Sequence, residues 1–271
     1  MIKQLKDKFP SWTKEKQESY YLSGTDDLDS LATMSILNQV FGYEQNMYVT
    51  RDGIYMLDTS IKNHIGVDLA CLGDRYTYDN HVTLRDNKSK KNPNSANINS
   101  VLGITSINYH QKCAFSTLLQ VMSLYDIPLP STDEGKMFLL SIDSSHYGHY
   151  DSKYQGIHNN YIRQLGYDEL INIMNKYTKE EISSMRMNEY LTFNNGYLTY
   201  EEPYKSHAEK LLGYELILPT QQFKQVAKLE TNYSDCPFLI GDVTHDNMMF
   251  SCAFTGQSKL SYTKYKQIRG E

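Results

Sequence analysis

The stretch Tyr20-Tyr21-Leu22-Ser23-Gly24-Thr25-Asp26-Asp27-Leu28-Asp29-Ser30-Leu31-Ala32-Thr33 constrains this chain more than any other. It reads as a short strand (about 19–23), a tight acidic turn and a helix start. Leu31, Met34, Leu37, Val40 and Phe41 recur at helical spacing, and Gly42 is a natural stop. Two readings compete for the acids. Asp26, Asp29 or Ser30 can cap the helix, which is the ordinary N-terminal signal. Alternatively, Asp27 and Asp29 stand two apart where the chain leaves the strand and aim both carboxylates into one pocket, a start for a divalent-cation site.

Downstream, residues 47–50 and 53–58 read as strands. An apolar run over 63–70 contains Asp68, and 74–81 follows closely with Asp79. Strands alternating with helices predict an α/β fold, a mainly parallel sheet flanked by helices. Functional groups in such sheets gather at the carboxyl ends of strands. Asp27, Asp68 and Asp79 each fall at such an end. Residues 85–99 are rich in Asn, Ser and Lys and read as a solvated loop. The sharper alternative is a lid or phosphate-contacting loop carrying Lys88, Lys90 and Lys91. Residues 113–125 return to helical periodicity. A helix beginning near Thr132 passes into Met137-Phe138-Leu139-Leu140-Ser141-Ile142, an apolar run taken as a further strand that ends on Asp143.

The character changes near residue 150. Helices are predicted over 157–177 and 179–190, the second capped by Thr178 with Glu181 three residues on. Asn194-Asn195-Gly196 is a hairpin turn between 190–193 and 197–200. A second hairpin joins 238–243 to 248–254 through His245-Asp246-Asn247. The expected division is 1–150 and a smaller α+β region over 151–271.

Composition narrows the classes. At 40% hydrophobic residues the chain can bury a substantial core, and no run of about 18 apolar residues predicts a membrane span. The first residues lack the apolar centre of a signal peptide. Cys71, Cys113, Cys236 and Cys252 show no CxxC spacing, as expected of reduced thiols, so a cytoplasmic location is expected. A net charge of −5 argues against a general nucleic-acid coat but leaves room for a local basic groove. The 23 tyrosines can stack on bases, although half-buried packing with a wet hydroxyl is their commoner use.

Four segments fall in order: Asp27-Leu28-Asp29-Ser30, Gly66-Val67-Asp68, Asp79-Asn80-His81, and Ser141-Ile142-Asp143-Ser144-Ser145. Over residues 18–150 this set resembles the DHH phosphoesterase superfamily of exonucleases, nanoRNA and cyclic-dinucleotide phosphodiesterases and family II pyrophosphatases. Its pattern is a histidine followed by D-x-D, a lone Asp, the D-H-H triplet and a last Asp before a short turn and helix. The resemblance implies a DHH-like phosphoesterase domain over 1–150. It implies nothing for 151–271, which lack the glycine-rich accessory signature.

Two departures matter. Ser23 stands where the pattern has its opening histidine, and Asn80 where it has the first histidine of D-H-H. By resemblance, the metal ligands are Asp27, Asp29, Asp68 and Asp143, with Asn80 through its carbonyl. Asp58 is the alternative to Asp68. His81 faces the substrate phosphate, with Asp79 beside it in the catalytic pair. An oxygen donor set favours Mg²⁺ or Mn²⁺. His110 and Lys112, ahead of the helix at 113, and His146, just past Asp143, are candidate substrate contacts, each with a bland structural alternative. The expected activity is metal-dependent hydrolysis of a nucleotide or short single-stranded oligonucleotide. The alternatives are a non-hydrolytic nucleotide-binding protein on the same scaffold, or an interaction protein docking through its tyrosine-rich half.

Overall fold

The computed structural model describes residues 1–235 and 249–266. A short helix α1 (Lys3–Lys6) and a 3-10 turn (Ser11–Lys14) lead into strand β1 (Tyr21–Thr25). Helix α2 (Leu28–Phe41) follows at once. Asp27 caps it by accepting from Ser30 N at 2.9 Å, and Gly42 closes it at φ 68. Residues from Leu28 to Leu37 are all buried, polar ones included, so α2 is a central helix enclosed on every side. Its serines are satisfied internally: Ser30 Oγ donates to Val67 O and Ser35 Oγ to Leu31 O.

Strand β2 (Gln45–Val49) returns parallel to β1, and a tight turn reverses the chain into β3 (Gly53–Met56). Strands β4 (His64–Val67), β5 (Thr77–Tyr78) and β6 (Ser95–Ala96) add in parallel on the other side of β1. Helices α3 (Ile98–Val101), α4 (Thr117–Leu124), α5 (Asp133–Ser141), α6 (Gln155–Leu165), α7 (Glu169–Lys176) and α8 (Lys179–Ser184) follow. The hairpin β7 (Thr192–Asn194) and β8 (Tyr197–Thr199) turns at Asn195-Gly196, as the sequence predicts. Helix α9 (Tyr204–Leu212) precedes β9 (Lys224–Ser234), β10 (Met249–Phe254) and β11 (Leu260–Tyr265).

The protein is α/β, with a nine-stranded mixed sheet in the order β10-β11-β9-β3-β2-β1-β4-β5-β6. The expectation of a mainly parallel sheet describes only the half from β2 to β6 through β1. From β2 outward through β3, β9, β11 and β10 every pairing is antiparallel. Between β2 and β3 the cause is local, since a three-residue reversal can join only antiparallel neighbours; β9 then adds antiparallel to β3 from far along the chain. Polar residues Lys224, Gln225, Lys228, Glu230 and Asn232 hide β9 from any apolar pattern.

Further expectations change. The helix expected over 157–177 is two helices, α6 and α7, parted at Gly166, which takes φ 78. Residues 137–141 belong to helix α5, capped by Thr132 accepting from Gly135 N at 3.0 Å, so Asp143 follows a helix and not a strand. Helix α8 keeps its Thr178–Glu181 capping box but ends at Ser184, short of the helix predicted through 190. The 85–99 segment is solvated only in part: Ser95 to Ser100 are buried, while Lys88, Lys90 and Lys91 are exposed. Of the second predicted hairpin, 238–243 and its turn lie outside the described residues; Met249–Phe254 is a strand that pairs with β11.

One hydrophobic cluster runs from Leu5 to Phe223 and takes residues from both sides of position 150, so neither core nor sheet breaks at the expected boundary. Several tyrosines tie it together by donating to carbonyls, as Tyr125 does to Thr13 O and Tyr167 to Ile127 O. No helix among the described residues is long and apolar enough to cross a membrane.

Candidate metal centre

Strands β2 and β4 flank β1, so the connections leaving β1 and its neighbours diverge at its carboxyl end and open a crevice there. Asp27 and Asp29 follow β1, Asp68 follows β4 and Asp79 follows β5. Asp68 takes the left-handed conformation, φ 55, as the chain turns out of the sheet. Carboxylate oxygens of Asp29, Asp68 and Asp143 all lie within 4.8 Å of one another. A second group, Asp68, Asp79 and His81, meets the same distance and shares Asp68.

The first turn of α4 organises the first group. Thr117 N donates to Asp29 Oδ2 at 2.8 Å and Leu118 N to Asp29 Oδ1 at 2.7 Å. These amides have no partner within their own helix, and the helix N-terminus favours the negative charge. Thr117 Oγ1 donates to Asp68 Oδ1 at 2.7 Å. Ser116 N donates to Ser145 Oγ at 2.9 Å, which fixes the turn bearing Asp143 beside the same helix end. His158 Nε2 lies 2.7 Å from Ser145 O and anchors the turn from behind. Asp143 is exposed, sits at φ 52, and its carboxylate accepts no hydrogen bond from any described residue. The hydrogen bonds on Asp29 and Asp68 orient them without exhausting the lone pairs of a carboxylate.

Charge accumulates at this point. Burial first, and then the charges of Asp68, Asp143 and Asp27, hold the Asp29 carboxyl well above its ordinary range. Asp27 is raised by burial and by Asp68 and Asp143. Burial pushes Asp68 up to about 6, with Asp143 and Asp79 adding to it and His81 pulling the other way. Such mutual repulsion is what a cation among the carboxylates would relieve.

The second group is a histidine held by an acid. His81 Nδ1 lies 2.6 Å from Asp79 Oδ1 and 4.0 Å from Asp68 Oδ1. Asp79 is completely buried, and its other oxygen accepts from Asn97 Nδ2 at 2.9 Å. Burial opposes the positive charge on His81, but Asp79, Asp68 and Asp143 outweigh it and push the pKa up to about 10. Protonated, the ring is a counter-charge and donor for this centre; it also belongs to one of the two groups whose atoms lie close enough together to hold a metal ion. His81, Asn80 and Asp143 line a cleft of about 290 Å³ that also includes Lys112.

Other expected residues fall elsewhere. Asp27 lies outside both groups; its oxygens take Ser30 N and Thr25 Oγ1, each at 2.9 Å, so it caps α2. Asn80 donates Nδ2 to Phe115 O at 2.6 Å and lines the cleft. Asp58 is exposed and holds Ser60; it follows the antiparallel β3, whose carboxyl end points to the opposite edge of the sheet. Ser23 donates to Ile65 O and lines a separate cleft with His64 and Phe250. His146 is buried, with its ring nitrogens engaged by Leu140 O and Ser183 Oγ, both at 2.9 Å, so it is a core histidine and no substrate contact. His110 and Lys112 line a larger groove beside the cleft.

Sequence reasoning passed over Ser116, Thr117 and Asn97, because small polar residues at a helix start or in a loop look like ordinary caps. It also missed Arg186 and Glu189. Leu28 N donates to Glu189 O at 2.7 Å and Leu191 N to Asp26 O at 2.9 Å, and these bonds strap 189–191 against the acidic loop. Arg186 Nη2 holds Glu189 Oε2 at 2.6 Å, while Glu189 Oε1 is buried with no hydrogen-bond partner among the described residues. Burial raises the Glu189 pKa, Arg186 opposes this, and the charge of Asp143 adds to the rise. No protein-family model, curated protein or solved structure matches this chain.

Proposed function

We propose that this chain is a divergent member of the DHH phosphoesterase superfamily: a metal-dependent phosphodiesterase acting on short oligonucleotides or cyclic nucleotides. One observation carries the reading. Asp29, Asp68 and Asp143, from three distant stretches of sequence, bring their carboxylate oxygens within 4.8 Å of one another. An all-oxygen donor set suits Mg²⁺ or Mn²⁺. Such an ion, when bound, lowers the pKa of water toward about 7 and offsets charge on the phosphoryl oxygens. Asp29, Asp68 and Asp143 would hold it. His81, charged and oriented by Asp79, keeps its Nε2–H to donate to the scissile phosphate or the departing oxygen. Lys112 on the cleft wall adds positive charge for the phosphate.

The test is titration calorimetry with Mn²⁺ and Mg²⁺, followed by hydrolysis of a linear diadenylate and a panel of cyclic dinucleotides. Cation binding and cleavage that both disappear in Asp68→Asn support the reading. A whole panel left intact with either ion overturns it.

A second reading, a nucleotide-binding protein that does not hydrolyse, has one observation in its favour. Ser23 and Asn80 stand where the resembled pattern has imidazoles, and their side chains are engaged by Ile65 O and Phe115 O. Recovery of intact ligand after calorimetry with cation present supports it.

A further inference from the structure

Beside the small cleft at His81 lies a groove of about 690 Å³, and the two share Tyr109, Lys112 and Ala114 as a common wall. The volume is within the roughly 300–1,000 Å³ usual for small-ligand sites. Its character differs from the acidic crevice. Two lysine–tyrosine pairs line it, Lys112 Nζ at 4.8 Å from the Tyr109 ring centroid and Lys179 Nζ at 4.0 Å from Tyr147; Tyr154, also in the lining, has Lys153 Nζ at 5.1 Å. The rings come from the 3-10 turns Tyr109–Gln111 and Tyr147–Tyr150 and from the residue before α6; Lys179 opens α8. The lining also holds one acid, Asp151, whose carboxylate accepts from Lys153 N at 2.9 Å.

Aromatic faces alternating with cations are how proteins hold single-stranded nucleic acid: bases stack on rings while lysines meet the backbone phosphates. A cation over a tyrosine face is a weak contact at an exposed site. A base can displace it, and the freed ammonium then finds the adjoining phosphate. Continuity with the His81 cleft sets the direction. A phosphodiester placed at His81 and Asp143 leaves its flanking nucleotide to cross Lys112 and enter the groove.

We propose that this Lys/Tyr groove binds the nucleotide flanking the scissile phosphate, so that the ligand is a linear single strand of at least two nucleotides. This rests on the phosphodiesterase reading for its placement, but the groove's binding is measurable without catalysis. Calorimetry with AMP, a 5′-phosphorylated diadenylate and the triadenylate, in EDTA and again with Ca²⁺, compares wild type with Tyr147→Ala, Tyr147→Phe and Lys179→Ala. Tyr147 is 45% exposed, so its replacement leaves the core intact; equal melting temperatures check this. The diadenylate should bind about tenfold tighter than AMP, Tyr147→Ala should remove most of that gain, and Tyr147→Phe should keep it. Equal affinity for AMP and diadenylate under both conditions, or a gain untouched by Tyr147→Ala and Lys179→Ala, overturns the proposal. Length-dependent binding lost in Tyr147→Ala, with no hydrolysis under Mg²⁺ or Mn²⁺, upholds the groove and defeats the phosphodiesterase. Hydrolysis whose kcat/KM ignores both substitutions defeats the groove and leaves the phosphodiesterase standing.

Discussion

Thr117 donates its hydroxyl to Asp68 Oδ1 at 2.7 Å, while its own backbone amide holds Asp29. One residue at a helix start thus fixes two of the three carboxylates that meet at the crevice. Replacing Thr117 with Val keeps the amide and removes the hydroxyl. A hydrogen bond to a charged group contributes about 1.5–3 kcal/mol, so denaturant unfolding should show a loss of that order. Thr117→Ser should restore most of it. A Val variant as stable as wild type contradicts this role.

Asp68 is held near pKa 6 by burial first, with the charges of Asp143 and Asp79 adding to the rise and His81 opposing it. Asp68→Asn removes the buried charge and keeps an oxygen for Thr117 to bond. Without divalent cation at pH 7.5, the variant should melt a few degrees above wild type. Cation affinity should fall by at least the roughly 10–100-fold that follows loss of a residue merely supporting a ligand. A variant that melts lower and binds cation as well as wild type refutes the electrostatic account.

His81 sets a pH dependence of definite sign. Its folded pKa lies near 10 against 6.5 for an ordinary histidine. Between those values the folded state holds a proton that the unfolded chain has lost. The stability this contributes is therefore full below about pH 6.5 and is lost as pH rises toward 10. The melting-temperature difference between wild type and His81→Gln, measured in EDTA, should be largest near pH 6 and shrink by pH 9.5. A difference that grows with pH reverses the assignment.

Gly24 has no room for a side chain. A Cβ there would sit 2.3 Å from Ser30 Oγ and 2.5 Å from Met34 Cε. Met34 can swing its end away, but Ser30 Oγ is pinned between Thr25 N and Val67 O. Gly24→Ala should cost about 1–3 kcal/mol, the usual penalty of overpacking. Chemical denaturation measures it, and an unchanged midpoint shows that the strand and helix can part.

Local signals were the legible ones. The turn at Gly42, the Thr178–Glu181 box and the Asn195-Gly196 hairpin each depend on a few adjacent residues, and each is visible in the sequence. Residues 137–141 were not, because a short uncharged apolar run fits a buried strand as well as a helix until the Thr132 cap decides. The antiparallel half of the sheet was hidden because β9 is mostly polar and its partner lies some 170 positions earlier, Ile54 against Ala227. At the site, acids at chain reversals could be picked out singly. Which of them turn inward depends on their partners: those of Asp29, Thr117 and Leu118, lie far away in sequence, whereas Asp27 is taken up by its own local cap. Asp143 comes to the group from a helix and not from the end of a strand, which an apolar run before an acid cannot distinguish.

The bonds from Leu28 N to Glu189 O and from Leu191 N to Asp26 O act as a latch between distant parts of the chain. Opening it would uncover both amides at once. Deuterium uptake at residues 28 and 191 should therefore follow a single time course, and whatever fills the crevice should slow the two together.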